Sequence, residues 1–256
     1  MKTPARQKNI LFMQLTQVDI DNSLSTIYGL GNDILYSMCK NNFEHTSIDA
    51  VLAKTIIIGR TYAVALDRGK DKGKSDDEKL KLLLINGDFY QNKVVPLFMA
   101  SDIDVKLARL KNLDSPEGVE ADILVLHNDL KEILLPINKE DKISFCSKYL
   151  HFHLPNLFFI YDSRAKSVIN DFVVKKDVQY FKASNFDTKY AKFYSKARHL
   201  QKSIADDFEL LTPRQIDNLF LIPANEKLRK RIIEKIEKNK NKQKPIGKTS
   251  LAIASV

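Results

Sequence analysis

The sequence predicts a mainly α-helical protein, a multi-helix domain with at most a short extended segment near residues 157–161. Only eight glycines and eight prolines occur among the 256 residues, and no glycine lies between Val119 and Ile246. Proteins built from sheets need frequent turns, so a chain this poor in turn residues favours helices. Apolar residues also recur at helical spacing through most of the chain.

The first long helix is predicted in the segment that Ser47, Ile48 and Asp49 open. Its apolar residues fit a mostly buried helix: Val51, Leu52, Ile56, Ile58, Tyr62, Val64 and Leu66. The β-branched run 56–58 would also fit a strand, but the length of the segment and its lack of turn signals favour the helix. Residues 67–77 are charged and contain glycine, which is typical of a loop.

Further helices are predicted in order along the rest of the chain. They cover residues 94–110, 119–134, 139–150, 163–173 and 187–211, and a helix that Thr212 and Pro213 open. Pro136 ends the second of these helices, and Pro155 breaks the chain after the third. A basic helix is predicted to start at Asn225. The short apolar run 157–161 fits a strand or an extended connector.

This pattern predicts a single helical domain over residues 1–224, or two lobes that meet near 111–118. The basic helix would span 225–241, and residues 242–256 would form a disordered tail. The net charge is +9, but residues 225–248 contain ten basic and three acidic residues and so carry +7 of it. The rest of the chain is therefore almost neutral, which argues against a broad nucleic-acid-binding surface there.

Composition and motifs narrow the classes of function. The content of 44% hydrophobic and 29% charged residues is that of a soluble globular protein. No membrane span and no secretory signal is found, and Cys39 and Cys146 are expected to be reduced thiols in a cytoplasmic protein. Phosphate-loop, GxSxG and HExxH motifs are absent. His151 and His153 form an HxH pair without a third ligand at close spacing, so the sequence predicts neither a metal nor a cofactor.

The best candidate site is the segment 144–165, SFCSKYLHFHLPNLFFIYDSRA. Lys148 and Asp162 flank the bend at Pro155, and a chain that doubles back there would bring the two side chains together. A partly buried lysine can act as a nucleophile, and a carboxylate beside it can stabilise a cation or activate water. In the alternative interpretation, Lys148 extends along the surface and Asp162 only caps the helix that starts at Ser163.

Arg164 follows Asp162 in the first turn of that helix. Backbone N–H groups and the helix dipole beside a guanidinium can hold a phosphate. The alternative is that Arg164 pairs with a nearby carboxylate and joins two helices.

The order of Ser147-Lys148, LHFHLPNLFFI and Tyr161-Asp162-Ser163-Arg164-Ala165 resembles the centre of the helix-hairpin-helix base-excision DNA glycosylases. It is also similar to bacterial proteins that carry HF-x-x-P-x-x-F-x-I-Y-D-S and a later R-x-x-D-x-L, which here is Arg214, Asp217 and Leu219. The resemblance implies that Asp162 stabilises the oxocarbenium ion and that Lys148 attacks C1′. A flipped base would stack in a pocket formed by four residues: His151, Phe152, His153 and Tyr161.

Two functions therefore remain open. The first is a DNA N-glycosylase/lyase-like hydrolase, or an inactive relative, whose DNA-binding residues are Arg164, Lys227, Arg229, Lys230, Arg231, Lys235 and Lys238. The second is a non-catalytic helical interaction module whose basic tail binds nucleic acid or an acidic protein partner. Whether Lys148 and Asp162 face a common cleft distinguishes the two.

Overall fold

The computed structural model describes residues 15–24, 29–67, 75, 89–137 and 141–242, and within these residues it contains ten α-helices and no β-strand. The helices are α1 (Gln17–Leu24), α2 (Gly29–Asn41), α3 (Ile48–Thr61), α4 (Val95–Met99), α5 (Ile103–Leu110), α6 (Glu120–Ile133), α7 (Ile143–His153), α8 (Ser163–Phe172), α9 (Thr188–Ala205) and α10 (Pro213–Lys242). A π-helical turn, Tyr90–Val94, leads into α4, and a 3₁₀ turn, Leu135–Ile137, follows α6. The mainly α fold class is confirmed. Most of the predicted loop 67–77 and nearly all of the predicted tail lie outside the described residues.

Side-chain caps start several of these helices where the sequence predicts them. Ser47 accepts a hydrogen bond from the backbone N–H of Ala50 at the start of α3. Asp187 caps α9 by accepting from two backbone N–H groups. At α10, Thr212 and Gln215 bond reciprocally to each other's backbone N–H, as in a capping box.

In two of the predicted helices, a turn interrupts the predicted span. The first stops at Thr61 because Ala63 adopts a left-handed conformation with φ of 54°, and the N–H of Val64 bonds back to the carbonyl of Gly59. The predicted helix 94–110 is divided between α4 and α5. Ser101 interrupts it by donating its hydroxyl to the carbonyl of Phe98, since serine side chains compete with the helical backbone bonds.

The basic C-terminal helix begins earlier than Asn225, the start that the sequence predicts. The basic residues continue α10, which begins at Pro213 and runs through Pro223 without a break. Residues on both sides of the proline, including Phe220 and Ala224, are buried, and α10 packs against α1 and α8. This packing holds the helix together despite the one backbone donor that Pro223 lacks.

Helix α7 lies at the centre of the core. Ten of its eleven residues are buried, and α2, α3 and α6 pack against it. A helix that is enclosed on all sides needs a partner for each polar side chain it carries. The rest of the fold therefore has to provide hydrogen-bond or ion-pair partners for the buried polar residues of α7.

One lysine of the core has a purely structural contact. Lys54 of α3 is fully buried, and its ammonium donates to the backbone carbonyls of Asn42, Phe43 and Glu44 at 2.7, 3.2 and 3.0 Å. These carbonyls belong to the turn that follows α2. Burial lowers the pKa of Lys54 to about 8. The side chain thus links the end of α2 to α3.

Candidate active site around Lys148 and Asp162

A buried connector without regular structure returns the chain from the end of α7 to α8. The side chains of Leu157, Phe158, Phe159 and Ile160 are all buried, so their backbone groups need partners inside the protein. Side-chain donors supply them: Tyr194 donates to the carbonyl of Leu157, His151 to that of Phe158 and Tyr190 to that of Phe159. The predicted extended connector is therefore present, and no described residue forms a strand beside it.

The connector ends beside the helix that it left. Ser147 of α7 accepts a hydrogen bond from the backbone N–H of Tyr161 at 3.0 Å. Lys148 follows Ser147 in α7, and Asp162 follows Tyr161 in the chain. The contact therefore places Asp162 next to Lys148. The return of the chain at Pro155 thus brings the two predicted catalytic residues together.

Lys148 and Asp162 form an ion pair, with 3.3 Å between Nζ and Oδ2. The other carboxylate oxygen of Asp162 accepts from the backbone N–H groups of Arg164 and Ala165, at 2.9 and 3.0 Å, and caps α8. The Lys148 side chain is 3% exposed and that of Asp162 is 25% exposed. Capping and pairing with the lysine, which the sequence left as alternatives, are both present because they use different oxygens.

Both residues line a cleft of about 880 Å³ between α2, the end of α3, α7 and the start of α8. Tyr62 and Phe145 are the aromatic residues of its lining. The Lys148 ammonium lies 5.6 Å from the centre of the Tyr62 ring, within the range of a cation–π contact. Burial lowers the pKa of Lys148, whereas the neighbouring Asp162 carboxylate acts in the opposite direction.

A second, smaller cavity of about 180 Å³ adjoins this cleft. Four residues belong to both linings and so separate the two spaces: Asn32, Tyr62, Asp162 and Arg164. Arg214 and Asp217 of α10 line the smaller cavity on its far side. The acid of the candidate site is therefore exposed to two cavities.

Arg214 and Asp217 form a largely buried pair, 3.1 Å apart. Arg214 also donates to the hydroxyls of Tyr36 and Tyr62, at 3.0 and 3.2 Å. Burial raises the pKa of Asp217 to about 6, against the opposing effect of Arg214. Apart from the R-x-x-D spacing, the sequence carries no signal that these residues of α10 would lie beside Asp162.

The network continues from Tyr36 to His151. Nδ1 of His151 donates to the carbonyl of Phe158, so Nε2 accepts from the Tyr36 hydroxyl at 2.7 Å. Burial holds the pKa of His151 well below its usual range, which keeps the ring neutral. His151 is thus a support for the connector and for Tyr36.

The predicted base-stacking residues do not line the cleft. His151 already bonds to Tyr36 and to the carbonyl of Phe158. Phe152 packs beneath Tyr36, Tyr62 and Arg214. His153 points into the core, where its ring lies 5.5 Å from that of His45. Tyr161 packs on Phe193 and Tyr190 of α9. The core and the connector already use these side chains, and the aromatic residues of the cleft lining are Tyr62 and Phe145.

The predicted DNA-binding residues have different surroundings. Arg164 is exposed at the cleft, whereas Lys227 is held against α8 by Asp171 and by the carbonyl of Ser167. Four others are exposed on α10: Arg229, Lys230, Arg231 and Lys235. The side chain of Lys238 lies outside the described part of the chain.

No cluster of three or more residues that could hold a metal ion occurs in the described parts of the chain. Within the same parts, no helix has the length and apolar character that crossing a membrane requires. Comparison of the chain with family models, with curated proteins and with solved structures gives no match. The resemblance to DNA glycosylases therefore stays a prediction that rests on the residues quoted above.

Proposed function

We propose that the chain binds DNA and removes a base from it, as an N-glycosylase with an associated lyase step in which Lys148 is the nucleophile. The observation that carries the proposal is the pair of Lys148 and Asp162, whose Nζ and Oδ2 lie 3.3 Å apart on the wall of a cleft of about 880 Å³. This volume is within the range of cavities that enclose a small ligand. A nucleotide turned out of the duplex is a ligand of that kind.

The surroundings of the pair suit a lysine nucleophile. Only the neutral amine can attack, and burial favours that form by lowering the pKa of Lys148. The Asp162 carboxylate can accept the proton that Nζ loses and can stabilise the positive charge that develops at C1′. Its second oxygen stays bound to the first turn of α8, which fixes the position of the acid during the reaction.

In the proposed step, Nζ bonds to C1′ while the bond between C1′ and the base breaks. The base leaves with the bonding electron pair and takes up a proton. The nitrogen then loses a proton as the C1′–O4′ bond opens, O4′ becomes a hydroxyl, and an iminium joins Lys148 to C1′. β-Elimination from this iminium removes a C2′ proton and expels the 3′-phosphate, which breaks the strand. Water then hydrolyses the iminium to the free amine and an unsaturated sugar aldehyde, so no cofactor is consumed.

The rest of the cleft supports the same class of substrate. Tyr62, which is half-buried, offers aromatic surface to a base. Arg164 is exposed at the same cleft and can bind a phosphate together with the N-terminus of α8. The exposed basic residues of α10 would add binding that does not depend on sequence and that weakens with salt.

Borohydride trapping tests the proposal, because the reagent reduces the iminium to a stable amine. The full chain is incubated with duplex DNA that carries an abasic site, and with duplexes that carry uracil, oxidised or alkylated bases. We expect a covalent protein–DNA adduct that Lys148→Ala abolishes and Asp162→Asn reduces. Lys189→Ala, which removes an exposed lysine outside the cleft lining, should leave the adduct yield unchanged.

The proposal is overturned if no substrate yields an adduct or a free base. An adduct of equal yield in Lys148→Ala would also overturn it, because another amine would then be the nucleophile. Salt-sensitive DNA binding without any product would instead support the non-catalytic interaction module. The exposed basic residues of α10 favour this second candidate, since binding through them needs no cleft.

A further inference from the structure

A third cavity, of about 670 Å³, lies between the segment 173–187 and the first half of α9. Four lysines belong to its lining: Lys175, Lys182, Lys192 and Lys196. So do three aromatic residues, Tyr180, Phe181 and Phe186. No described residue that lines this cavity carries a carboxylate. The composition of the lining therefore differs from that of the cleft at Lys148, where two aspartates contribute.

The lysines of this cavity are not neutralised by acids. Nearby cations outside it are paired: Lys131 with Asp187 and Lys189 with Asp141. Among the described ion pairs, none includes any of the four lysines. Such an uncompensated cluster of cations attracts an anion with several charges.

The lysines also lie close enough to affect one another. Burial lowers the pKa of Lys196, and the charges of Lys175 and Lys192 lower it further. The Lys196 ammonium donates to the side-chain oxygen of Asn170 at 2.7 Å, which fixes it at the edge of the cavity. An anion bound there would remove the repulsion among these three cations.

The aromatic wall is anchored to α9. The backbone N–H of Phe181 donates to the hydroxyl of Ser195 at 3.0 Å, and the Phe181 ring lies 6.2 Å from that of Tyr194. Tyr180 and Phe186 are half-buried, so part of each ring faces the cavity. Fixed aromatic rings next to lysines are the combination that binds the bases and the backbone of single strands.

We infer that this cavity binds single-stranded nucleic acid, with a base against the aromatic residues and phosphates at the lysines. A duplex keeps its bases stacked inside and would use the lysines alone, so the aromatic wall favours a single strand. Thr188 lines this cavity, and the next residue, Lys189, binds Asp141 of the cleft at Lys148. The inference does not depend on the chemistry at Lys148.

Fluorescence anisotropy with a labelled oligothymidylate and with a duplex of equal length tests this inference on the full chain. The cavity variant carries Lys175→Gln, Lys182→Gln and Lys192→Gln, three exposed lysines. We expect it to bind the single strand at least about tenfold more weakly, and the slope of log affinity against log salt to fall by about 2. A tail variant that also loses three charges, with Arg229→Gln, Lys230→Gln and Arg231→Gln, is the matched control and should weaken single-strand binding less.

Tyr180→Ala separates base stacking from charge. It should weaken binding of the single strand by about fivefold to 100-fold and leave duplex binding unchanged. The inference is overturned if Tyr180→Ala and the cavity variant both bind the single strand as the wild type does. It is also overturned if thymidine monophosphate binds as tightly as the oligonucleotide. Borohydride trapping by the same variants shows separately whether the function proposed for Lys148 holds.

Discussion

Asp162 offers a direct test of the site, because its two carboxylate oxygens have separable tasks. One oxygen caps α8, and the other pairs with Lys148. Asparagine caps a helix about as well as aspartate but carries no charge. Asp162→Asn should therefore keep the cap and remove the ion pair, whereas Asp162→Ala removes both.

The contacts of Asp162 determine how much the free energy of unfolding should fall in each variant. Asp162→Asn leaves the buried Lys148 ammonium with the Ser144 hydroxyl, 3.4 Å away, as its remaining hydrogen-bond partner in the described structure. Loss of a charge-assisted hydrogen bond should lower the free energy of unfolding by about 1.5–3 kcal/mol. Asp162→Ala should cost about 1 kcal/mol more for the cap. The difference between the two variants corresponds to about 2–4 °C in Tm.

The loss caused by Asp162→Asn should also depend on pH. Without the carboxylate, the pKa of Lys148 falls below its value in the wild type, which burial has already lowered. The cost of the unpaired ammonium is present in full at pH values below both folded-state pKa values. It should shrink as the pH rises through them, because the lysine then becomes neutral in both proteins.

Urea unfolding of wild type, Asp162→Asn, Asp162→Ala, Lys148→Met and the double variant Asp162→Asn/Lys148→Met, from pH 6 to 9, measures these effects. Lys148→Met removes the unpaired charge, so the double variant should recover at least about 1 kcal/mol relative to Asp162→Asn. Equal stabilities of the asparagine and alanine variants would refute the cap. Additive effects in the double variant would refute the ion pair.

Three further predictions concern the network behind the site and the thiols. Burial raises the pKa of Asp217 in the folded protein to about 6, so its protonated carboxyl stabilises the fold in full below about pH 4. About 3 kcal/mol of this contribution should be lost as the pH rises through 6, and urea unfolding of Asp217→Asn should lack this change. Arg214→Met leaves a buried carboxylate unpaired and should cost about 3–5 kcal/mol, whereas Arg60→Met, at a pair whose arginine side chain is 60% exposed, should cost under about 1 kcal/mol in the same assay. Burial raises the pKa of Cys39 to about 12 and that of Cys146 further, so an aromatic disulfide reagent should titrate no thiol in the native protein and two in urea.

The helical class could be predicted because its signals are local. Thr212 and Asp187 mark helix starts through side chains that bond to the next turn, and such contacts need only neighbouring residues. The early end of α3 could not be predicted in the same way. Ala63 is rarely left-handed by itself, and the buried residues Ala65 and Leu66, which follow it, show that tertiary packing determines that turn.

The acid and the amine of the site could be predicted because the bend between them lies in one short stretch of sequence. The residues around them could not. Tyr62 and Arg214 come from distant helices that meet only once α3 and α10 have packed. The pattern of apolar residues does not show which aromatic side chains face a cleft. Phe152 lies close in sequence to the site but is buried, because an aromatic residue within a buried helix packs in the core.

Lys54 limits how the surface charge of this protein can be redesigned. Its residue type is that of the exposed lysines that keep a protein soluble. A redesign that replaces every lysine to lower the net charge would therefore include it. Its ammonium, however, donates to three carbonyls, whereas an ionised glutamate donates no hydrogen bond and a glutamine has only two side-chain N–H groups. Redesign of the overall charge should therefore use α10 and leave this position unchanged.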